Sequence, residues 1–268
     1  MFHLKATLTA LMAIFGVSSA LALESPHFVV FDLDRTLIQP NPRIAGILAN
    51  IGRELSIPSL VGLSPEAITR LVSGDRSALG INDPLLLQRI FGNYRDGSHR
   101  TSEFGRRFYF DSSYLELDEA IPGASDFVNR IDRESDARIL YLSGRIQEYF
   151  EEATWKQLEH FGFPGRDRAT LILKPLRETL GNDEYKVRAL GELKGSTIAI
   201  FDDSSRNLGR FAENLIPRPL LVRVSTSALP QHGDAAIRRI NHYLDQTALL
   251  DQILTLSKGC GSYLLPGN

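Results

Sequence analysis

The sharpest hydrophobic pattern is an unbroken apolar run over residues 28–31 that stops at Asp32 and is followed by Leu33, Asp34, Arg35 and Thr36. Short apolar runs bounded by polar residues read as buried strands of a parallel sheet. Similar runs recur over 137–142, 170–173, 197–201 and 220–224, with helical spacing between them. Phe127, Val128 and Ile131 mark one such helix, and Phe150, Thr154, Leu158 and Phe161 mark the next, with Gly162 as its stop. The alternation predicts an α/β fold: a doubly wound parallel sheet covered by helices on both faces. Residues 234–257 read as a closing amphipathic helix through Ile237, Ile240, Leu244 and Ile253, with a loose tail after it.

A different pattern fills the stretch between the first strand and Ile121. After the break over 39–42, Ile44, Ile47, Leu48, Ile51 and Leu55 recur at helical spacing. Ser64-Pro65-Glu66 and Asp83-Pro84 read as helix starts, the first leading into Ile68, Leu71 and Val72, the second into Leu86, Leu87, Ile90 and Phe91. An aromatic and basic stretch follows over 94–114. The expected organisation is a core built from 23–40 and 118–268, with a small helical domain inserted over 41–117.

Composition narrows the classes further. The 268 residues are 43% hydrophobic and 23% charged, ordinary for a globular chain with a sizeable core. A formal net charge of -2 gives no electrostatic footprint for a nucleic acid polymer or an acidic membrane. The N-terminus adds a compartment: Lys5, an apolar stretch over 8–17, and small residues ending at Ala20-Leu21-Ala22 read as a secretory signal over 1–22. The apolar stretch is short for a membrane span, so the expectation is an exported chain, periplasmic or secreted, with no stable membrane insertion once the signal is removed. A first buried helix or an uncleaved membrane anchor is the alternative. Cys260 is the sole cysteine, so no internal disulfide forms.

The chemistry gathers at strand ends. Asp32 and Asp34 follow one apolar run, and Asp202 and Asp203 follow another. Carboxylates brought together repel unless protons or a cation compensate, and Mg²⁺ with oxygen ligands is the natural cation. Ser143-Gly144-Arg145 follows a third run. In a parallel sheet ligands bind at these carboxyl ends. Asx turns or helix caps would account for each pair taken alone.

Together these motifs resemble the haloacid dehalogenase (HAD) superfamily of aspartate-nucleophile hydrolases, and its phosphatases in particular. The resemblance runs from Phe28 to about Val224. It implies Asp32 as the nucleophile that forms an aspartyl-phosphate. It implies Asp34 as the acid and base, with its backbone carbonyl on Mg²⁺. Thr36 would bond locally to hold the loop. Ser143 and the backbone at Gly144 would grip the phosphoryl oxygens, while Arg145 either touches substrate or holds the loop. A lysine must balance the charge; Lys186, ahead of the last motif strand, is favoured over Lys174. Asp202 would ligate the metal directly, Asp203 directly or through a neighbour, and Asn207 through a neighbour at most. Arg35 departs from the glycine common at its position.

The insertion lies where this superfamily carries its C1 cap, and Tyr94, Arg95, Arg100, Arg106, Arg107 and Tyr109 are candidate substrate contacts there. A solvated face for the arginines is the plainer reading of any one of them. The resulting expectation is a Mg²⁺-dependent phosphomonoesterase acting on small organic phosphates, of acid phosphatase or nucleotidase type. The alternatives are a phosphotransferase with the same motifs, a non-catalytic binding protein on the same scaffold, and a structural exported protein.

Overall fold

The computed structural model describes residues 26–93, 95, 97–225 and 237–258. The expected signal, Tyr94, Cys260 and the tail lie outside the described residues. Strand β1 (His27–Phe31) leads into the short β2 (Ile38–Gln39). Helices α1 (Asn41–Glu54), α2 (Pro65–Val72), α3 (Pro84–Phe91) and α4 (Glu103–Phe110) follow, and the chain returns through β3 (Glu119–Ala120). Helices and strands then alternate: α5 (Ala124–Glu134), β4 (Arg138–Ile146), α6 (Gln147–His160), β5 (Ala169–Lys174) and α7 (Asn182–Gly191). The series continues through β6 (Ser196–Asp202), α8 (Ser205–Asn214), β7 (Leu220–Val224), β8 (Ile237–Ile240) and α9 (Thr247–Lys258). No helix among the described residues is long and apolar enough to cross a membrane.

The main sheet has six strands in the order β5-β4-β1-β6-β7-β8, all parallel. It is the doubly wound α/β fold expected from the alternation. Strand pleating sends Val29 and Phe31 to the layer formed by α5, α6 and α9, and Phe28 and Val30 to the layer formed by α7 and α8. Phe31 stacks on Phe201 of the neighbouring strand at 4.6 Å between ring centres. From β1 the chain winds outward through β4 and β5, then crosses back to β6 on the other side. That reversal opens a crevice beyond the carboxyl end of β1.

One expected element is corrected. Residues 234–257 are not a single helix: Ile237–Ile240 is a parallel edge strand, with Ile237 beside Leu221 and Ile240 beside Val224. Three-residue spacing of isoleucines reads as a helical face, but in a strand it places them on opposite faces. Ile237 accordingly packs against the α7/α8 layer and Ile240 against the α5/α6/α9 layer. The helix begins only at Thr247.

The inserted helices carry a hydrophobic cluster of their own, with Ile44, Ile47, Leu48, Ile51, Ile68 and Ile90 buried in it. Ser64 and Asp83 cap α2 and α3 by accepting from Ala67 N at 3.2 Å and Leu85 N at 2.9 Å, each with proline at the next position. The antiparallel pair β2/β3 ties the outgoing chain to the returning one, Ile38 opposite Ala120.

Close backbone packing around α4 makes a stability prediction. A Cβ at Gly105 would lie 1.8 Å from the carbonyl oxygen of His99. Helix propensity alone would reward Gly105→Ala by about 1 kcal/mol. Here backbone must shift, so the variant should instead lose about 1–3 kcal/mol, read as a lower urea midpoint. An unchanged or higher midpoint would contradict the packing.

Candidate active site

The carboxyl ends of β1, β4, β5 and β6 open into one cleft of about 1200 Å³, whose other wall comes from α1 to α4. Asp32 stands immediately past β1, its N–H donating to the carbonyl of Phe201 at 2.9 Å and so extending the sheet by one pairing. Asp202 is the last residue of β6. Adjacent parallel strands therefore deliver these two carboxylates side by side.

Between them lies Lys186 of α7, 3% exposed. Its ammonium is 2.8 Å from Asp32 Oδ1 and 2.8 Å from Asp202 Oδ2. Burial disfavours a charged lysine, but Asp202 and Asp32 outweigh it and hold Lys186 protonated well above its ordinary range. Asp202 also accepts from Ser204 N at 2.8 Å and from Asn207 Nδ2 at 3.0 Å. Asp203 stands 3.9 Å from Arg35 Nη1.

The positive charge does not suffice. Oxygens of Asp32, Asp202 and Asp203 all lie within 4.8 Å of one another. Burial, opposed by Lys186 and reinforced by the two neighbouring aspartates, pushes Asp32 up to about 8. Burial and Asp202 push Asp203 up to about 6. Clustered oxygen donors with excess negative charge fit a hard divalent cation.

Asp34 is placed differently. Its carboxylate accepts from Arg43 Nη2 at 2.6 Å and from Arg145 Nη2 and Nε at 2.8 and 3.2 Å. Burial alone would raise its pKa, yet Arg145 and Arg43 together hold it well below the usual carboxylate range. The carboxylate of Asp34 is thus taken up by two arginines and is not among the clustered donors of Asp32, Asp202 and Asp203. Both guanidiniums are buried. Arg145 also donates to Gln157 Oε1 at 2.8 Å and Thr154 Oγ1 at 3.1 Å, and Arg43 Nε is 3.2 Å from Asp118. Burial raises Asp118 to about 6 against the pull of Arg43.

The loop from Leu33 to Ile38 is tied by backbone bonds, with Arg35 in the left-handed region at φ 66° donating to Ile38 O at 2.6 Å. Thr36 bonds locally through its main chain and not through its buried hydroxyl, which has no hydrogen-bond partner among the described residues. The carbonyl of Leu33 gathers the turn, accepting from the N–H groups of Thr36, Leu37 and Ile38.

Ser143 and Gly144 line the same cleft. They belong to β4 itself, where the pairing with β5 slips between Ser143 and Ile146. Ser143 Oγ accepts from Arg145 N at 3.3 Å. A Cβ at Gly144 would come 2.7 Å from Asn182 Nδ2, so glycine permits this approach. Lys174 is not at Asp32: its ammonium donates to Leu180 O at 2.5 Å and Asn182 Oδ1 at 3.3 Å.

Of the basic and aromatic candidates on the insertion, Arg100 and Tyr109 line the cleft, whereas Arg95, Arg106 and Arg107 do not. Arg106 pairs with Glu103, and Arg107 with Glu103 and Glu54. Sequence reading missed Arg43 and Asp118. The only local signal was a charged residue at an otherwise inward helix position, Arg43 beside Ile44.

No protein-family model matches the chain, and no curated protein matches it. Solved structures do. A haloacid dehalogenase-like hydrolase from Streptococcus pneumoniae superposes with TM-score 0.51 at 13% identity, over 80% of this chain and 93% of that one. A HAD-superfamily hydrolase of subfamily IA from Geobacter sulfurreducens gives TM-score 0.53 at 14% identity, over 84% and 96%. The CbbY protein of Rhodobacter sphaeroides, solved in complex with phosphate, gives 0.50 at 13%, over 84% and 98%. These likenesses establish a shared fold.

The raised carboxyls make stability depend on pH and on a cation. In the folded state Asp203 and Asp32 keep protons that the unfolded chain releases near pH ~4. Without metal, stability should therefore fall as pH rises from about 4 to about 8. Urea midpoints in EDTA should drop between about pH 5 and pH 8, and a divalent cation should restore more at the higher pH. Midpoints that ignore both pH and cation would contradict the cluster's electrostatics.

Proposed function

We propose that this protein is a Mg²⁺-dependent phosphomonoesterase of the HAD type, acting on small organic phosphates through an aspartyl-phosphate on Asp32. The observation that carries the reading is Lys186 held 2.8 Å from both Asp32 and Asp202 at the carboxyl edge of a parallel sheet. A buried ammonium there offsets the charge of an anionic nucleophile meeting an anionic phosphoryl group. The likeness in fold to HAD hydrolases supports the same reading.

In this mechanism an Asp32 oxygen attacks phosphorus while the bond to the leaving oxygen breaks. Ser143 Oγ and the backbone around Gly144 hold the phosphoryl oxygens. Asp34 passes a proton to the leaving oxygen and later takes one from the water that splits the aspartyl-phosphate. Free of substrate, Asp34 is ionised by its two arginines, the form the second half requires. The like charge of an arriving phosphate dianion raises Asp34 toward the acid form, and Asp34 takes the proton for the first half from solvent or from a monoprotonated substrate. Asp32, Asp202, Asp203 and the carbonyl of Asp34 would hold Mg²⁺, which would supply further positive charge to offset that of the nucleophile and the phosphoryl group.

The helices over 41–117 act as a cap that excludes bulk water and selects the leaving group. Residues 1–22 direct export, placing the enzyme in the periplasm or outside the cell. There a broad acid phosphatase or nucleotidase that recovers phosphate is the fitting role.

The test is phosphate release from p-nitrophenyl phosphate with Mg²⁺ and with EDTA. Turnover should require the metal. It should fall about a thousandfold or more in Asp32→Asn, and about 10²–10⁴-fold in Asp34→Asn. Wild-type rates in Asp32→Asn would refute the reading.

A further inference from the structure

Among the basic side chains on the cleft wall, Lys174 and Arg100 take no part in the centre built on Asp32. Lys174 ends β5 and is 4% exposed. Its two hydrogen-bond acceptors, Leu180 O and Asn182 Oδ1, are both neutral. The acids whose charge reaches it, Glu178 and Asp183, are engaged elsewhere: Glu178 by Arg188, and Asp183 by Arg206 at 2.8 Å. A buried ammonium without a carboxylate partner is costly unless something else compensates.

Arg100 lies on the inserted segment. It closes the 3-10 turn Ser98–Arg100, lines the same cleft, and forms no ion pair among the described residues. Its charge is felt at Lys174, whose pKa is lowered first by burial and then by Arg100. The fold thus aims two cations that repel each other into one cleft, one from the core and one from the inserted helices. Such an arrangement is relieved by an anion between them.

Position in the sheet separates this anion from the phosphoryl group at Asp32. The strand order β5-β4-β1 puts Lys174 two strands away from the nucleophile, on the order of 10 Å at about 4.8 Å per strand. Asn182 links the two places. Its Oδ1 accepts from Lys174, while its Nδ2 lies against Gly144, where a Cβ would approach to 2.7 Å.

We infer that Lys174 and Arg100 form a second anion subsite, and that the substrate is a phosphomonoester whose leaving group carries a further anionic group. This rests on the phosphomonoesterase reading and specifies its substrate class. Phe104, Phe108 and Tyr109, which line the same cleft, would cover the body of the leaving group.

The probes are 4-carboxyphenyl phosphate and its neutral counterpart of the same shape, 4-carbamoylphenyl phosphate. With the full chain and Mg²⁺, kcat/KM should favour the carboxylate by about tenfold or more, the worth of one charge-assisted hydrogen bond. Arg100→Gln and Lys174→Met should each reduce that ratio severalfold, mainly through KM. Should the buried Lys174→Met fail to fold, the partly exposed Arg100→Gln decides alone. Equal use of both probes by the wild type, or a preference that neither variant moves, would overturn the subsite while leaving the phosphomonoesterase intact. Release of phosphate from neither probe would overturn the phosphomonoesterase reading, and the subsite with it.

Discussion

One ammonium shared by two carboxylates is the constraint on which the rest depends. Parallel pairing of β1 with β6 forces Asp32 and Asp202 to end at the same edge, where their charges oppose folding. Lys186 answers that repulsion from α7, a helix that packs through Tyr185, Ala189 and Leu190 on the opposite face from α5 and α6. The lysine's position is therefore set by the hydrophobic layer beneath it. Asp203 adds a third carboxylate that one lysine does not balance, and the clustered oxygens with surplus negative charge fit a divalent cation.

The second constraint couples the insertion to the same edge. Arg43 comes from the first turn of α1, Asp118 from the return of the chain, and Arg145 from the irregular end of β4, yet all meet at Asp34 or next to it. A buried group of this kind is weak evidence for stability, since desolvation offsets much of the attraction. Its effect is geometric: the carboxylate of Asp34 has a fixed orientation, and the start of the helical insertion is fixed to the same atoms. Motion of these helices over the cleft must pivot around this point or break it.

Much of the fold was legible because its signals are local. Apolar runs ending in aspartate gave β1 and β6, and serine or aspartate ahead of proline gave the starts of α2 and α3. The failures share one cause. β8 has only four residues, and Ile237 and Ile240 carry the same spacing in a helix as in that strand, so tertiary pairing with β7 decides between them. Asp34 and Arg145 are 111 residues apart, and no pattern along the chain announces that meeting. Arg43 is buried through its pairing with Asp34 and Asp118, and Asp118 lies far from it along the chain. Lys174 and Lys186 were both plausible by sequence, and what separates them in space is the strand order and the turn of α7.

The account stands or falls on covalent chemistry at Asp32. The most direct test is to quench the wild-type protein in acid during turnover of p-nitrophenyl phosphate and map its peptides by mass spectrometry. The account predicts one added phosphoryl group on the peptide carrying Asp32, absent without substrate. Steady phosphate release with no adduct there, or with the adduct on another side chain, would contradict it.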